Sequence, residues 1–359
     1  MKIAMFGHKR IPSRSGGVEV VVAELAAGMA AMGHEVTCYN RGGDDGAFAG
    51  IGLKAVPDWG GKGLSALTSS FFAAVASALS DAEVVHIHAE GPAFFCWIPK
   101  LLGKRVVVTV HGLDWQREKW HRSPGRFYIR AGEQAAVRFA DEIIVLSRNL
   151  QHYFRERYSR ETVYIPNGIT RPEPQAPAEI RKIGLGKDGY LLFLGRLVPE
   201  KEIHTLISAF RALDTEKKLV ITGASSDTDG YVESLKALAA GDERVLFTGF
   251  AEGRLLAELY SNAFLYILPS RVEGMPMSLL EAMSYGNCCL VSDIPELTEV
   301  VEDRGVTFPC GDSRALRDAL ESLLNNPDTV ARYKAVAADF VCGKYNWDKI
   351  LEKTLELYR

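Results

Sequence analysis

Short apolar runs alternate with helix-length amphipathic stretches from one end of the chain to the other. In the first half the runs fall at residues 2–6, 35–39, 84–87, 105–110, 142–146 and 162–165. They are apolar at successive positions and rich in Val and Ile, the pattern of strands buried on both faces of a parallel sheet. Residues 18–32, 64–79 and 127–139 lie between them with helical length, and supply the crossovers that parallel strands need. The alternation restarts in the second half, with strands predicted at 190–194, 218–222, 245–248, 264–268 and 288–292.

The two series are separated by Thr170-Arg171-Pro172-Glu173-Pro174-Gln175-Ala176-Pro177, a loose stretch whose three prolines cannot sit inside a helix or a central strand. This predicts two doubly wound α/β domains in series, residues 1–168 and 169–340. The closing stretch, 341–359, holds an amphipathic helix with Trp347, Ile350, Leu351, Leu355 and Tyr358 near one face, and a helix of that kind must dock.

A length of 359 residues suits two such domains, and 47 % apolar with 24 % charged residues excludes disordered and low-complexity chains. No segment approaches the roughly 18–20 uninterrupted apolar residues of a membrane span. The start, Met1-Lys2-Ile3-Ala4-Met5-Phe6-Gly7, lacks a signal peptide's long apolar region, so a cytoplasmic protein is expected. The six cysteines (Cys38, Cys96, Cys288, Cys289, Cys310, Cys342) form no C-x-x-C pair and are expected as buried free thiols. The net charge of −3 averages over an asymmetry: residues 100–160 hold thirteen Lys/Arg against six Asp/Glu, an excess of +7 that leaves −10 for the rest.

Open parallel sheets bind ligands at the carboxyl ends of their strands, and two facing sheets make a cleft, so chemistry is expected in the loops after strands. The first strand runs through Gly7-His8-Lys9-Arg10 to Gly16-Gly17 before a helix. A glycine pair there lets backbone N–H groups approach an anion, which the helix dipole favours. The spacing is not G-x-G-x-x-G and no acidic residue closes the second strand, so a nicotinamide-cofactor fingerprint is absent. By itself the pair fits a phosphate-facing loop and a plain turn equally.

In the second half, strand 190–194 is followed by Gly195-Arg196 and, five residues on, by Lys201. The planar fork of Arg and the point charge of Lys suit a diphosphate. The run Leu268-Pro269-Ser270-Arg271-Val272-Glu273-Gly274-Met275-Pro276-Met277-Ser278-Leu279-Leu280-Glu281-Ala282-Met283 is the most informative. A helix is predicted to open near Pro276, where a missing N–H costs nothing, leaving the amides of Gly274, Met275, Met277 and Ser278 as donors. Glu273 and Glu281, eight residues apart, can accept hydrogen bonds from two polyol portions of one ligand, such as a sugar and a ribose. Glu281 lies in an apolar run, and a buried carboxylate needs a partner.

This run, its Glu-x7-Glu spacing and the Gly195-Arg196-x4-Lys201 loop resemble the retaining glycosyltransferases of family 4. Gly286-Asn287-Cys288-Cys289-Leu290-Val291-Ser292-Asp293-Ile294-Pro295-Glu296 and Pro166-Asn167-Gly168 fit the same family, so the resemblance covers nearly the whole chain. The start, with Gly7-His8-Lys9-Arg10-Ile11-Pro12-Ser13 and Gly16-Gly17-Val18-Glu19, is similar to a subgroup from bacterial capsule and exopolysaccharide pathways, some of them rhamnosyltransferases. The resemblance implies an α/β protein of GT-B fold: two facing Rossmann-like doubly wound domains, the C-terminal helix crossing back to the N-terminal, acceptor-side one. It also implies a hexosyl transfer from a UDP-, dTDP- or GDP-sugar to a glycan or lipid-diphosphate-linked acceptor, with no cofactor and no metal.

The same resemblance distributes roles. Arg196 and Lys201 neutralise the donor's diphosphate, Glu273 contacts the transferred sugar and Glu281 holds the ribose hydroxyls. Gly274, Met275, Pro276, Met277 and Ser278 hold sugar hydroxyls and phosphate, Gly16 and Gly17 line the phosphate side, and His111 lies near the reacting sugar. Retention would follow from front-face attack, the leaving phosphate oxygen taking the acceptor's proton.

Asp227-Thr228-Asp229 spells a D-x-D metal motif, but it precedes a helix, where Asp or Thr is an ordinary N-cap. His86-x-His88 has zinc-like spacing without a third ligand, which favours strand-end packing. From Trp115 to Arg138, aromatics interleave with Arg117, Lys119, Arg122, Arg126 and Arg130, which suits peripheral docking at an anionic inner membrane face as well as a solvated helix. No nucleic-acid motif accompanies the patch. A GT-B-type sugar-nucleotide epimerase or hydrolase would use the same donor site, and a non-catalytic sugar-binding protein of two lobes is the third reading.

Overall fold

The computed structural model describes every residue except His121 and Arg122, and only the backbone of Lys62. The chain forms two compact units, one of Met1–Gly168 with Asn346–Arg359 and one of Ile169–Tyr345. The helix Pro327–Lys344 carries straight through residue 341, so the closing segment of the first unit begins at Asn346.

The first unit holds strands β1 (Lys2–Phe6), β2 (Glu35–Arg41), β3 (Gly46–Phe48), β4 (Ile51–Val56), β5 (Val84–His88), β6 (Arg105–Val110), β7 (Glu142–Val145) and β8 (Val163–Tyr164). They make one sheet in the order β3-β4-β2-β1-β5-β6-β7-β8, parallel throughout except for the β3 edge. Sequence reading missed β3 and β4. In β4, buried Ile51 and Leu53 alternate with exposed Gly52 and Lys54, so the strand has a half-buried strand's period of two and no continuous apolar run. β3 is exposed along its length and, at three residues, too short to show a period.

The closing helix, Trp347–Glu356, belongs to this unit. Leu351 packs where a Cβ on Gly28 would fall 2.5 Å from its methyl, the Arg105 Nε–H donates to the Leu357 carbonyl at 2.6 Å, and the Tyr358 hydroxyl meets His86 Nδ1 at 2.6 Å. These contacts bury the apolar face of a helix that is polar on its other side.

The second unit holds β9 (Tyr190–Leu194), β10 (Lys218–Thr222), β11 (Val245–Gly249), β12 (Leu265–Leu268), β13 (Cys289–Ser292) and β14 (Val306–Phe308), all parallel, in the order β11-β10-β9-β12-β13-β14. β9, β12 and β13 are buried nearly end to end, as strands covered on both faces must be. The proline-rich stretch is less loose than its composition suggests. The Gln175 N–H donates to Ser261 Oγ at 2.9 Å, and buried Glu258 accepts from the Ala178 and Ile180 amides and from Arg254. All six cysteines are free thiols, and Cys38, Cys96, Cys288 and Cys289 are buried.

Candidate active site

In the second unit the strand order reverses at β9, which has β10 on one side and β12 on the other. Loops leaving the carboxyl ends of such a pair part company and leave room for a ligand. Both sequence-predicted donor segments start there. The β9 loop carries half-buried Arg196, then a 3-10 turn, Pro199–Lys201, that buries Lys201. Leu197 fastens this loop to the next one: its N–H donates to the Ala224 carbonyl at 2.9 Å and its carbonyl accepts from Thr228 Oγ1 at 2.6 Å.

The β9 and β12 loops are clamped together. Lys201 Nζ pairs with Glu273 Oε1, each side chain only 9 % exposed. Buried Glu202 takes Arg271 Nε at 2.5 Å and the Thr205 hydroxyl, and the Arg271 N–H donates to the Glu200 carbonyl at 2.9 Å. Lys201 therefore stands in the site as half of an ion pair, with Glu273 as its counter-charge.

The β12 loop runs into the helix Met277–Ser284. Pro276 is its N-cap and lies one position before the first helical residue. The Pro276 carbonyl accepts from Leu279 and Leu280, which leaves the Met277 and Ser278 amides ahead of the first intrahelical bond. Glu281 is half-buried, less enclosed than its apolar run suggests, and its Oε2 accepts from the Tyr260 hydroxyl at 3.1 Å. Tyr266 donates to Ser278 Oγ at 2.9 Å, so two tyrosines from neighbouring elements brace this helix turn.

The first unit reverses its strand order at β1, between β2 and β5. Gly7 ends β1 at φ +113°, and a Cβ there would fall 2.0 Å from the His88 carbonyl oxygen, so only glycine allows β1 and β5 to close up. Gly16 is the N-cap and Gly17 the first residue of the helix Gly17–Ala31. That helix start carries its own carboxylate: buried Glu19 accepts from the Lys9 amide at 2.9 Å, and a Cβ on Gly16 would meet its Oε2 at 2.4 Å.

His111 follows β6, and its Nε2 lies 3.1 Å from Nδ1 of buried His88. His86 Nε2 meets Thr109 Oγ1 at 2.7 Å, and its ring lies 4.2 Å from that of His88. Desolvation pushes His111 down to about 4 and His86 to about 3, and holds His88 well below the usual imidazole range. All three rings are neutral at pH 7, so His111 offers a hydrogen bond and no positive charge. The His-x-His spacing thus reflects the period of a strand, which puts both rings on one face.

Sequence reasoning gave Glu19 and Glu202 no part of their own, and it read His88 as strand-end packing without its contact to His111. Of the Asp227-Thr228-Asp229 motif, Thr228 occupies the N-cap of the helix Asp229–Ala239, but its hydroxyl goes to Leu197 and does not cap. Among the described residues no three His, Cys, Asp or Glu side chains converge as a metal's ligand set requires.

Two doubly wound parallel-sheet units of this kind make the GT-B fold. Residues 15–171 match the sequence model of Glycosyltransferase Family 4, residues 175–339 match that of Glycosyl transferases group 1, and the chain belongs to these glycosyltransferases. Alpha-maltose-1-phosphate synthase of Mycobacterium tuberculosis is 26 % identical over all of this chain and 99 % of its own length. Sucrose-phosphate synthase of Thermosynechococcus elongatus superposes with a TM-score of 0.85 at 23 % identity, over 100 % of this chain and 98 % of that one. Anabaena HepE in complex with UDP-glucose does so with a TM-score of 0.83 at 19 % identity, over 99 % and 98 %.

Proposed function

We propose that the chain transfers a hexosyl group from a nucleotide diphosphate sugar to a glycan or lipid-linked saccharide in the assembly of a bacterial cell-surface polysaccharide. The observation that carries this reading is the clamped pair Lys201–Glu273 at the reversal point of the second sheet, beside Arg196 and the amides that open the helix Met277–Ser284. Breaking the anomeric C–O bond puts positive character on the sugar and negative charge on the departing nucleoside diphosphate. In this reading Arg196, Lys201 and the amides of Gly274, Met275, Met277 and Ser278 meet that negative charge where it develops. Pro276 sets the turn that aims them.

Glu273 accepts from the transferred sugar and Glu281 from the ribose. Neutral His111 hydrogen-bonds the sugar, and Gly16 and Gly17 serve the phosphate side. The donor base is uracil, thymine or guanine, and similarity at the N-terminus to rhamnosyltransferases of capsule and exopolysaccharide pathways favours a deoxyhexose. Transfer proceeds with retention and without metal or cofactor. HepE, whose complex holds UDP-glucose, supports the donor class.

Peripheral association with the cytoplasmic face of an anionic membrane completes the reading. No described helix is long and apolar enough to cross a membrane. Phe127 is 85 % exposed beside Arg126 and Arg130, whose guanidinium groups lie over the Trp115 ring at 5.3 and 5.1 Å. Of the expected docking segment, His121 and Arg122 lie outside the described residues.

A thermal-shift screen against UDP-, dTDP- and GDP-sugars tests the donor site, because a ligand of the folded state raises its melting midpoint by mass action. One donor class should raise the midpoint, and the same donor should be consumed in excess EDTA when an acceptor extract is added. No shift with any of the three, or turnover that only Mg²⁺ or Mn²⁺ restores, refutes the corresponding part.

A further inference from the structure

The short helix Glu90–Ala93 follows β5 and lies against the helix Gly125–Phe139. The two backbones run so close that a Cβ on Gly132 would fall 1.9 Å from the Glu90 carbonyl oxygen. That approach brings Glu90 and Glu133, both fully buried, side by side. Glu133 is ringed by donors: Trp115 Nε1–H reaches its Oε2 at 3.1 Å, and the Tyr153 hydroxyl (2.9 Å) and the Tyr158 hydroxyl reach its Oε1. Glu90 Oε2 accepts from the Asp114 N–H at 2.7 Å, while its Oε1 has no donor among the described residues.

Two touching carboxyls in a dry interior cannot both ionise. The three donors on Glu133 stabilise an anion there. Glu90 has one donor and a second oxygen with none among the described residues, so it is the better place for the remaining proton.

We propose that Glu90 and Glu133 share one proton, carried by Glu90, and that the pair positions His111 by gripping the Asp114 amide and the Trp115 indole just after it in the chain. Its bearing on turnover rests on the glycosyl-transfer reading; the proton does not. Burial, the bond to Glu133 and the negative charges of Asp114 and Glu133 hold Glu90 well above the usual carboxylate range. The folded chain thus keeps a proton that an unfolded one gives up near pH 4.5, and stability falls as pH climbs from there toward the folded-state value. The groups facing the pair are Tyr128 on its own helix, Tyr153, Tyr158 and Arg157 on the helix Arg148–Tyr158, Asp114 with its partner Arg117, and Arg126 and Arg130 on Trp115. His88 and His111 lie at the ends of the neighbouring strands. A variant differing only at Glu90 cancels their contributions.

Thermal melts of the full chain from pH 5.5 to 8.5 test the proton. Glu90→Gln keeps the shape, offers Glu133 an N–H donor and still accepts from Asp114, so its midpoint should gain on the wild type by roughly 3–5 °C per pH unit. Glu133→Gln sets an amide donor among hydroxyl and indole donors and should lower the midpoint at every pH. In turnover, Glu90→Ala should reduce kcat by about 10- to 100-fold, Glu90→Gln should restore it, and Glu90→Ala should add nothing to His111→Ala. A midpoint difference that stays flat with pH, or a tolerated Glu133→Gln, overturns the shared proton. A Glu90→Ala loss that multiplies with that of His111→Ala overturns the positioning. If the wild-type chain transfers no sugar, the proposed function falls, and the melts still decide the proton.

Discussion

Lys201→Ala strands a charge. Its partner Glu273 is 9 % exposed, and removing one member of a buried pair costs about 3–5 kcal/mol because the other is left uncompensated. The carboxylate has an escape, which is to take a proton. That costs a carboxyl of ordinary acidity about 3.7 kcal/mol at pH 7 but only about 1 kcal/mol at pH 5. The loss is therefore capped near 4 kcal/mol at pH 7 and shrinks on acidification. For a unit the size of Ile169–Tyr345, each kcal/mol moves the midpoint by about 2–4 °C. Lys201→Ala should melt roughly 6–16 °C lower at pH 7 and within about 4 °C of the wild type at pH 5. Removing both charges while keeping volume, Lys201→Met with Glu273→Leu, should recover most of the pH 7 loss. Sugar transfer should nevertheless stay down by orders of magnitude in the double variant, separating the structural use of the pair from its chemical use. Calorimetric melts at the two pH values with a transfer assay decide it. A single-variant loss that is the same at both pH values refutes the electrostatic account, and a double variant with normal turnover refutes the site.

Two further perturbations bear on the first unit. Tyr358→Phe removes the hydroxyl that meets His86 Nδ1 at 2.6 Å, leaving a buried ring nitrogen unsatisfied at about 1–3 kcal/mol; the midpoint at pH 7 should fall by roughly 2–12 °C, and no fall would mean the contact contributes nothing. Charge reversal at Arg117, Lys119 and Arg122 together, or Phe127→Ser, should cut sedimentation with anionic liposomes, at about 1 kcal/mol per cation. Binding that persists in both variants leaves only a solvated face.

The central strands and helices were legible because burial on both faces leaves a continuous apolar run, which survives any arrangement of the elements. β4 and β3 were not, since one alternates and the other is exposed. The site was legible in part for the same reason. Arg196, Lys201 and Glu273 stand in loops just after strands, and Glu281 in the helix that one of those loops opens, and a linear reading can find such places. It cannot find that Lys201 and Glu273, 72 residues apart, form a pair, because that depends on β9 and β12 being neighbours. Glu90 and Glu133 were hidden twice over: their contact depends on a close helix crossing at Gly132, and their partners Tyr153 and Tyr158 come from a third element.

The two reversal points solve opposite electrostatic problems with the same economy of buried charge. At the first, His8, His86, His88 and His111 are held neutral by burial and two carboxyls come together over one proton. At the second, Lys201 is neutralised by Glu273 and Arg271 by Glu202. A diphosphate arriving at such a site meets little unpaired positive charge that is already desolvated, which would be costly to keep in its absence. In the proposed function the attraction comes from half-buried Arg196, from the helix-opening amides of Met277 and Ser278, and from Lys201 turning part of its charge from Glu273 toward the phosphate. Glu273 would then share its lysine with the diphosphate, and its freed lone pairs are the ones available to the sugar. On the proposed function, phosphate and sugar binding are coupled through one ion pair, so a nucleoside diphosphate and a free sugar should each bind better in the presence of the other.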